Sequence, residues 1–438
     1  MQNLPDNVKS YLKKHSTKNY KLEFENKGGI DNVIVIPAIA EYENIQSLLS
    51  SLSKNDAAFF YSTLVLFVIN NSHSSESSVK EDNRKSVDLL RSIINSNGNK
   101  EFKRSGLQSG LIDVATDGNE LTDKESGVGI ARKIGMDMAL AAFDYEYDTK
   151  KLIICLDADC TVSSNYITNV INDFNKNNYS AAIVNFEHNI YGSEENTAAI
   201  ICYEIFLRYY VAGLSYANSA YSFHTVGSTI VCDRNSYIKI GGMNKGKAAE
   251  DFYFLEKLAK HFSIGKINST TVFPSSRSSW RVPFGTGQRV TRFLAKTQNE
   301  YLLFDPLVFE ILKSWLEIYN SNNIFAPRLL LDQSKVVHPE LYNFLVYQNF
   351  EEQWSRILSN TKSDKQLKHQ KKIWFDGFKT LKLIHHLRDT AFPEITMFDA
   401  LDRFFAKLKL SNSINRNCRT IPGLQIQKEY LRLLREIE

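Results

Sequence analysis

Apolar residues fall in short, unbroken runs along the first half of the chain. Val33-Ile-Val-Ile36 precedes Pro37 and a polar loop. Leu64–Ile69 repeats the form and ends in Asn70-Asn71; Leu111–Ala115, Leu152–Leu156 and Ala181–Val184 follow. Runs of about 4–8 apolar residues fit strands buried on both faces of a sheet with a parallel core. Helical patterns lie between them. Ile45, Leu48 and Leu49 share a face, Ile130, Ile134 and Met138 recur at four-residue steps, and Phe252, Leu255, Ala259 and Phe262 mark a later helix. This alternation predicts an α/β fold, a parallel sheet with helices on both faces. The serine-rich stretch Asn71–Ser86 reads as a surface loop.

After about Val290 the strand-like runs stop. Helical patterns at Leu307–Tyr319, Pro339–Leu358, Gln366–Leu387 and Met397–Leu410 predict a mostly helical C-terminal region. Within it, Thr361–Thr390 carries eight Lys/Arg against three Asp. Such a run is a solvated helix face, or it meets an anionic acceptor or a membrane surface. Thr197–Tyr221 comes nearest to a membrane span, but it contains Glu204 and Arg208 and reads as a buried or groove-lining helix. Residues 1–20 show no apolar core of a signal peptide. The expectation is a chain with no transmembrane segment and at most a peripheral membrane contact. Its domains are expected at 1–30 (an N-terminal extension), 31–293 and 294–438.

Composition adds exclusions. In 438 residues, 43% are apolar, 23% charged and 12% aromatic, which rules out wholesale disorder, collagen and a disulfide miniprotein. The balance of 53 basic and 49 acidic side chains demands no nucleic-acid-binding face, and no nucleic-acid partner is expected. Five scattered cysteines without a Cys-x-x-Cys pattern suggest free thiols in a cytoplasmic protein.

The candidate chemistry is acidic. Asp157-Ala-Asp159 follows the strand-like run Leu152–Leu156 directly. Ligands of open α/β sheets bind beyond the carboxyl ends of strands. Mg²⁺ or Mn²⁺ there would find hard oxygen ligands able to bridge to substrate phosphates. The alternative is a turn in which Asp159 caps the helix begun by Ser163-Ser164. Glu250-Asp251 opens the helix at Phe252 after the turn Gly241-Gly-Met-Asn-Lys-Gly246. It is either a helix cap favoured by the dipole or a carboxylate base at the lip of a pocket. Gly127–Gly135 opens another helix, and Arg132 on its first turn is a phosphate ligand or a surface arginine. Arg277, Arg281 and Arg289 flank Trp280 and the loop Pro283-Phe-Gly-Thr-Gly287. That pattern suits diphosphate binding as well as ordinary loop chemistry. His224 reads as a satisfied core histidine.

Taken in order, these elements resemble the family-2-like glycosyltransferases of the GT-A fold, which implies a mixed, mostly parallel sheet with helices on both faces. The order is Val33-Ile-Val-Ile-Pro37 with Glu41, a strand ending in Asn70-Asn71, Gly129-Ile-Ala-Arg132, Leu156-Asp-Ala-Asp159, Gly241-Gly-Met243 and Ala249-Glu-Asp251. The resemblance runs from about Asn32 to Phe293. It implies that Asp157 and Asp159 hold Mn²⁺ or Mg²⁺ on the diphosphate of a UDP- or GDP-sugar. It implies that Asp251, beside Glu250, is the base, and that Pro37, Ala38, Glu41 and Asn70 hold the nucleoside. The usual acidic pair after the second strand is Asn70-Asn71 here. The Gln-x-x-Arg-Trp motif of processive members is absent, which argues against a polysaccharide synthase. The implied function is transfer of a single sugar, with inversion, to a glycan, lipid-linked or small-molecule acceptor. A retaining transferase, a nucleotidyltransferase and a non-catalytic sugar-nucleotide binder are the alternatives. The first strand's loop, Pro-Ala-Ile-Ala-Glu-Tyr, lacks the basic residues that a nucleotidyltransferase would place there.

Overall fold

A computed structural model of the chain describes all residues except 1–3, 18–19, 26–27, 96–101, 103–104, 117, 191, 247–248, 278–284, 322–325, 411–413 and 417–419. Two compact units are interleaved along the chain. Residues 1–189 and 225–275 form the first, and residues 190–224 and 285–438 the second.

The first unit is built on a mixed sheet of nine strands. These are β1 (Leu22–Phe24), β2 (Asn32–Ala38), β3 (Thr63–Asn70), β4 (Gln108–Val114), β5 (Leu152–Cys155), β6 (Thr161–Val162), β7 (Ala181–Phe186), β8 (Ile230–Asp233) and β9 (Ile264–Phe273). Their order across the sheet is β1-β4-β3-β2-β5-β8-β7-β9-β6. β4, β3, β2 and β5 run parallel, so the apolar runs read from the sequence are its core. Every residue of β2 and β3 is buried, as expected of strands covered on both faces. β8 enters antiparallel between β5 and β7 and turns a parallel sheet into a mixed one. Its helices are α1 (Asp6–His15), α2 (Tyr42–Ser53), α3 (Ser77–Ile94), α4 (Val128–Ala142), α5 (Tyr166–Lys176), α7 (Arg234–Lys239) and α8 (Glu250–His261).

The expected loop at Asn71–Ser86 is corrected, because Ser77 already starts α3. Most of that helix is polar, but Val79, Val87, Leu90 and Ile93 form a thin buried stripe, and Asn83 is buried with them. A stripe this narrow hides in a serine-rich composition.

The second unit is helical. It contains α6 (Glu194–Tyr216), α9 (Thr286–Ala295), α10 (Leu307–Tyr319), α11 (Pro327–Val337), α12 (Pro339–Tyr347), α13 (Phe350–Asn360), α14 (Asp364–Trp374), α15 (Gly377–Thr390), α16 (Met397–Lys407) and α17 (Leu424–Glu436). A two-residue pair, β10 (Leu302–Leu303) with β11 (Ile395–Thr396), is its strand element. Two patterns read as single helices are each broken in two. Asn349, at φ 52°, separates α12 from α13, and Phe375-Asp376 separates α14 from α15, with Asp376 capping the second. α6 is long and apolar enough to cross a membrane, yet 72% of its apolar window is buried inside the protein. Ile201, Ile205, Tyr209 and Ala212 of α6 pack with Phe309, Trp315 and Phe404 in the unit's core. This is the buried helix its charged residues suggested.

Candidate functional site

The site lies where β5 ends and α4 and α8 begin. Asp157 and Asp159 follow β5 directly. The chain turns there, with the Cys160 amide donating to the Asp157 carbonyl at 3.1 Å, and then enters β6. The next helix, α5, starts only at Tyr166 with Asn165 at its cap, so Asp159 does not cap it. Both carboxylates are part-exposed, whereas Ala158 and Cys160 between and after them are buried.

Arg132, on the second turn of α4, is 2% exposed. Its Nη2 donates to Asp157 Oδ1 at 2.6 Å, and its Nη1 donates to Glu250 Oε1. One guanidinium therefore joins the acidic turn after β5 to the acidic start of α8. Burial works against the charge on Arg132, but Asp157 and Glu250 outweigh it and hold the group protonated. Two glycines make room for this link. A Cβ on Gly227 would sit 2.9 Å from Arg132 Nη2, and a Cβ on Gly129 would sit 2.2 Å from the Gly246 carbonyl oxygen. Neither requirement is visible in the local sequence. The Arg132 called as a phosphate ligand is thus wholly buried and turned toward two carboxylates.

Asp251 is the second residue of α8, and its Oδ1 accepts from the Phe252 amide at 2.7 Å. A helix N-terminus favours the ionised form, yet the pKa of Asp251 is pushed up from 3.8 to about 7. Burial is the main cause and the charge of Glu250 the next; Arg132 and the Phe252 amide pull the other way without winning. A dipole of about half a charge does not offset a buried like-charged neighbour.

The proposed nucleoside residues gather at the ends of β2 and β3. Pro37 and Ala38 are buried at the end of β2. Asn70 Nδ2 donates to the Ala38 carbonyl at 3.0 Å and ties the two strand ends together. Glu41 is 6% exposed at the start of α2 and accepts from Asn44. Asn83 of α3 completes the corner: its Nδ2 donates to Asn71 Oδ1 at 2.8 Å and to the Asn70 carbonyl at 3.0 Å, and its Oδ1 accepts from the Ala40 amide at 2.9 Å. Asn83 carried no signal in the sequence, because its helix was read as a loop.

Other candidates fall elsewhere. Arg281, with Trp280, lies outside the described residues. Arg289 is on α9 and, with Arg292, is ion-paired to Glu300. His224 is buried and hydrogen-bonded to Glu438 at 2.8 Å, the satisfied core histidine expected of it.

Comparison with known proteins adds the following. Residues 121–238 match the sequence profile of glycosyl transferase family 2. That span takes in α4, β5 and both aspartates of the turn, but neither Glu250 nor Asp251. None of the curated proteins compared with the chain matches it. Among solved structures, S. aureus TarS 1–349 in complex with UDP-GlcNAc is similar at 11% identity and a TM-score of 0.38, over 75% of this chain and 92% of that one. The mannosyltransferase PcManGT from Pyrobaculum calidifontis, in complex with GDP-Man and Mn²⁺, is similar at 11% identity and a TM-score of 0.37, over 98% of this chain and 91% of that one. The similarity to glycosyl transferase family 2 thus lies in residues 121–238, within a mixed sheet that has a parallel core.

Proposed function

We propose that the chain moves one sugar from a nucleotide-diphospho-sugar, of the UDP or GDP class, to an acceptor hydroxyl with inversion at the anomeric carbon. The observation that carries this reading is Asp251. It is a half-buried carboxylate with a pKa of about 7, placed at a helix start that Arg132 ties to the Asp157 turn. A base poised near working pH combines a useful ionised fraction with real proton affinity. Asp251 takes the proton of the attacking hydroxyl, and Glu250, fixed by Arg132, holds the corner in which Asp251 sits.

The residues at the β5 turn fit Mn²⁺ or Mg²⁺. Asp157 and Asp159 offer hard carboxylate oxygens, and such ions are commonly held by one or two carboxylates together with substrate phosphates and water. Among the described residues no group of three ligating side chains forms, so a donor diphosphate would complete the shell. When bound, the ion would supply charge neutralisation at the leaving diphosphate. Pro37, Ala38, Glu41 and Asn70 line the corner proposed for the nucleoside. Cytoplasmic placement agrees with free, buried thiols at Cys155, Cys160, Cys202 and Cys232; Cys418 lies outside the described residues.

The test is nucleoside diphosphate release from a panel of UDP- and GDP-sugars, with Mn²⁺ and a range of hydroxyl acceptors, and with the product anomer read by NMR. Transfer with inverted configuration is expected. A product of retained configuration would remove Asp251 as base, and turnover that releases pyrophosphate would point to nucleotidyl transfer.

A further inference from the structure

The first helix lies outside the family match and outside every contact used so far. α1 turns Val8 and Tyr11 inward. The Tyr11 hydroxyl donates to Asp137 Oδ1 at 2.9 Å, and the same oxygen accepts from the Tyr237 hydroxyl at 2.7 Å. Lys133 Nζ stands 2.9 Å from Asp137 Oδ2, with both side chains 3% exposed. Lys133 and Asp137 belong to α4, the helix of Arg132, and Tyr237 belongs to α7. A charged pair and two phenols are thus buried together behind the turn that leads to Glu250.

That cluster bears on the segment Gly241–Gly246. A Cβ on Gly242 would sit 1.9 Å from the Tyr11 hydroxyl oxygen, so the phenol rests directly on this glycine. From the other side, Lys257 Nζ of α8 donates to the Gly242 carbonyl at 2.5 Å. At its far end the segment meets α4, where the Gly246 carbonyl occupies the space a Gly129 side chain would need. Gly241–Gly246 is therefore gripped by α1 and α8 near its start and by α4 near its end.

We propose that α1, through Tyr11, is a positioning element for the Glu250–Asp251 corner: its phenol sets where Gly241–Gly246 lies, and so where the base stands against an acceptor. The kinetic consequence rests on the transfer reading, but the mechanical coupling does not. A misplacement of about 1 Å can cost on the order of 10²-fold in rate, so a brace far from the chemistry can show up in kcat.

Tyr11→Phe keeps the ring and removes two hydrogen bonds, the one donated to Asp137 and the one accepted from Lys133 at 3.4 Å. It is expected to lower kcat by about 10-fold or more, the order that a hydrogen bond to a charged group is worth, with donor KM unchanged. Amide hydrogen exchange should quicken over Gly241–Gly246 and the first turn of α8, and stay as in the wild type over β2 and β3. Gly242→Ala should lose more rate, because its methyl meets the phenol. In Tyr11→Ala that added loss should shrink to what the positive φ of Gly242 and the Tyr237 ring, 3.1 Å from the new methyl, cost together, so the two changes are non-additive. The cycle reports the coupling even if Tyr11→Phe folds poorly. A Tyr11→Phe protein with lower Tm but wild-type kcat and wild-type exchange over Gly241–Gly246 overturns the proposal, as do additive effects in the cycle. If the wild-type chain turns over no nucleotide sugar, the transfer reading falls, whereas the exchange data still decide this one.

Discussion

Each unit holds a buried arginine between two carboxylates, and the two clusters differ in what charge is left over. In the helical unit, Arg208 is 1% exposed and donates from Nε to Glu204 at 2.8 Å and from Nη1 to Glu438. Arg435 adds a second donor to Glu204 at 2.8 Å, and His224 a partner to Glu438 at 2.8 Å. Two arginines there face two glutamates, so the charges cancel. In the sheet unit, among the described residues, one arginine, Arg132, stands among Asp157, Glu250 and Asp251. Negative charge is in excess, one carboxylate of the pair reaches solvent, and another is forced to share a proton near neutral pH. A balanced buried cluster locks helices together. An unbalanced one at a strand end leaves room for a cation, a proton or both.

The comparison can be broken at its acidic end first. Asp159→Ala should reduce turnover in Mn²⁺ to the level found in EDTA, with the circular dichroism spectrum unchanged. Full metal-stimulated turnover in this variant would show that the excess charge serves no metal. Asp251→Asn comes next, with kcat expected to fall by about 10²–10⁴-fold, the usual worth of general-base assistance, while calorimetric donor affinity stays near wild type. An unchanged kcat would make Asp251 a helix cap.

Arg208→Met tests the balanced cluster. It leaves Glu204 with Arg435 alone and Glu438 with His224 alone, and should cost up to about 3–5 kcal/mol of stability, read by denaturant unfolding, with kcat per folded molecule preserved. A selective loss of kcat would show that the helical cluster, too, acts in catalysis.

The smallest effect is on pH. Asp251 has a folded pKa of about 7 against 3.8 unfolded. Between these values the folded state binds the extra proton, so the stability this group contributes falls as pH rises through that window. Activity should move oppositely, rising as pH passes about 7 and the base ionises. Asp251→Asn should then have the higher Tm of the two proteins above that pH, and equal Tm values across the range would remove the shift.

The chain alone specified the parallel core. Val33–Ile36, Leu64–Ile69 and Leu152–Cys155 are apolar on both faces, and only a covered sheet buries such runs. It likewise marked Asp157, Asp159, Glu250 and Asp251 as chemistry, because acidic residues beside buried strands and helix starts stand out against their surroundings. Tertiary structure alone decided what these groups do to one another. Arg132 and Glu250 are 118 residues apart and Asn83 and Asn70 are 13, and no local pattern encodes either contact. Tyr11 and Asp137 are 126 apart. The proton on Asp251 is set by burial and by Glu250 rather than by its place on a helix, since desolvation depends on everything packed around a carboxylate and a helix dipole only on its own few residues.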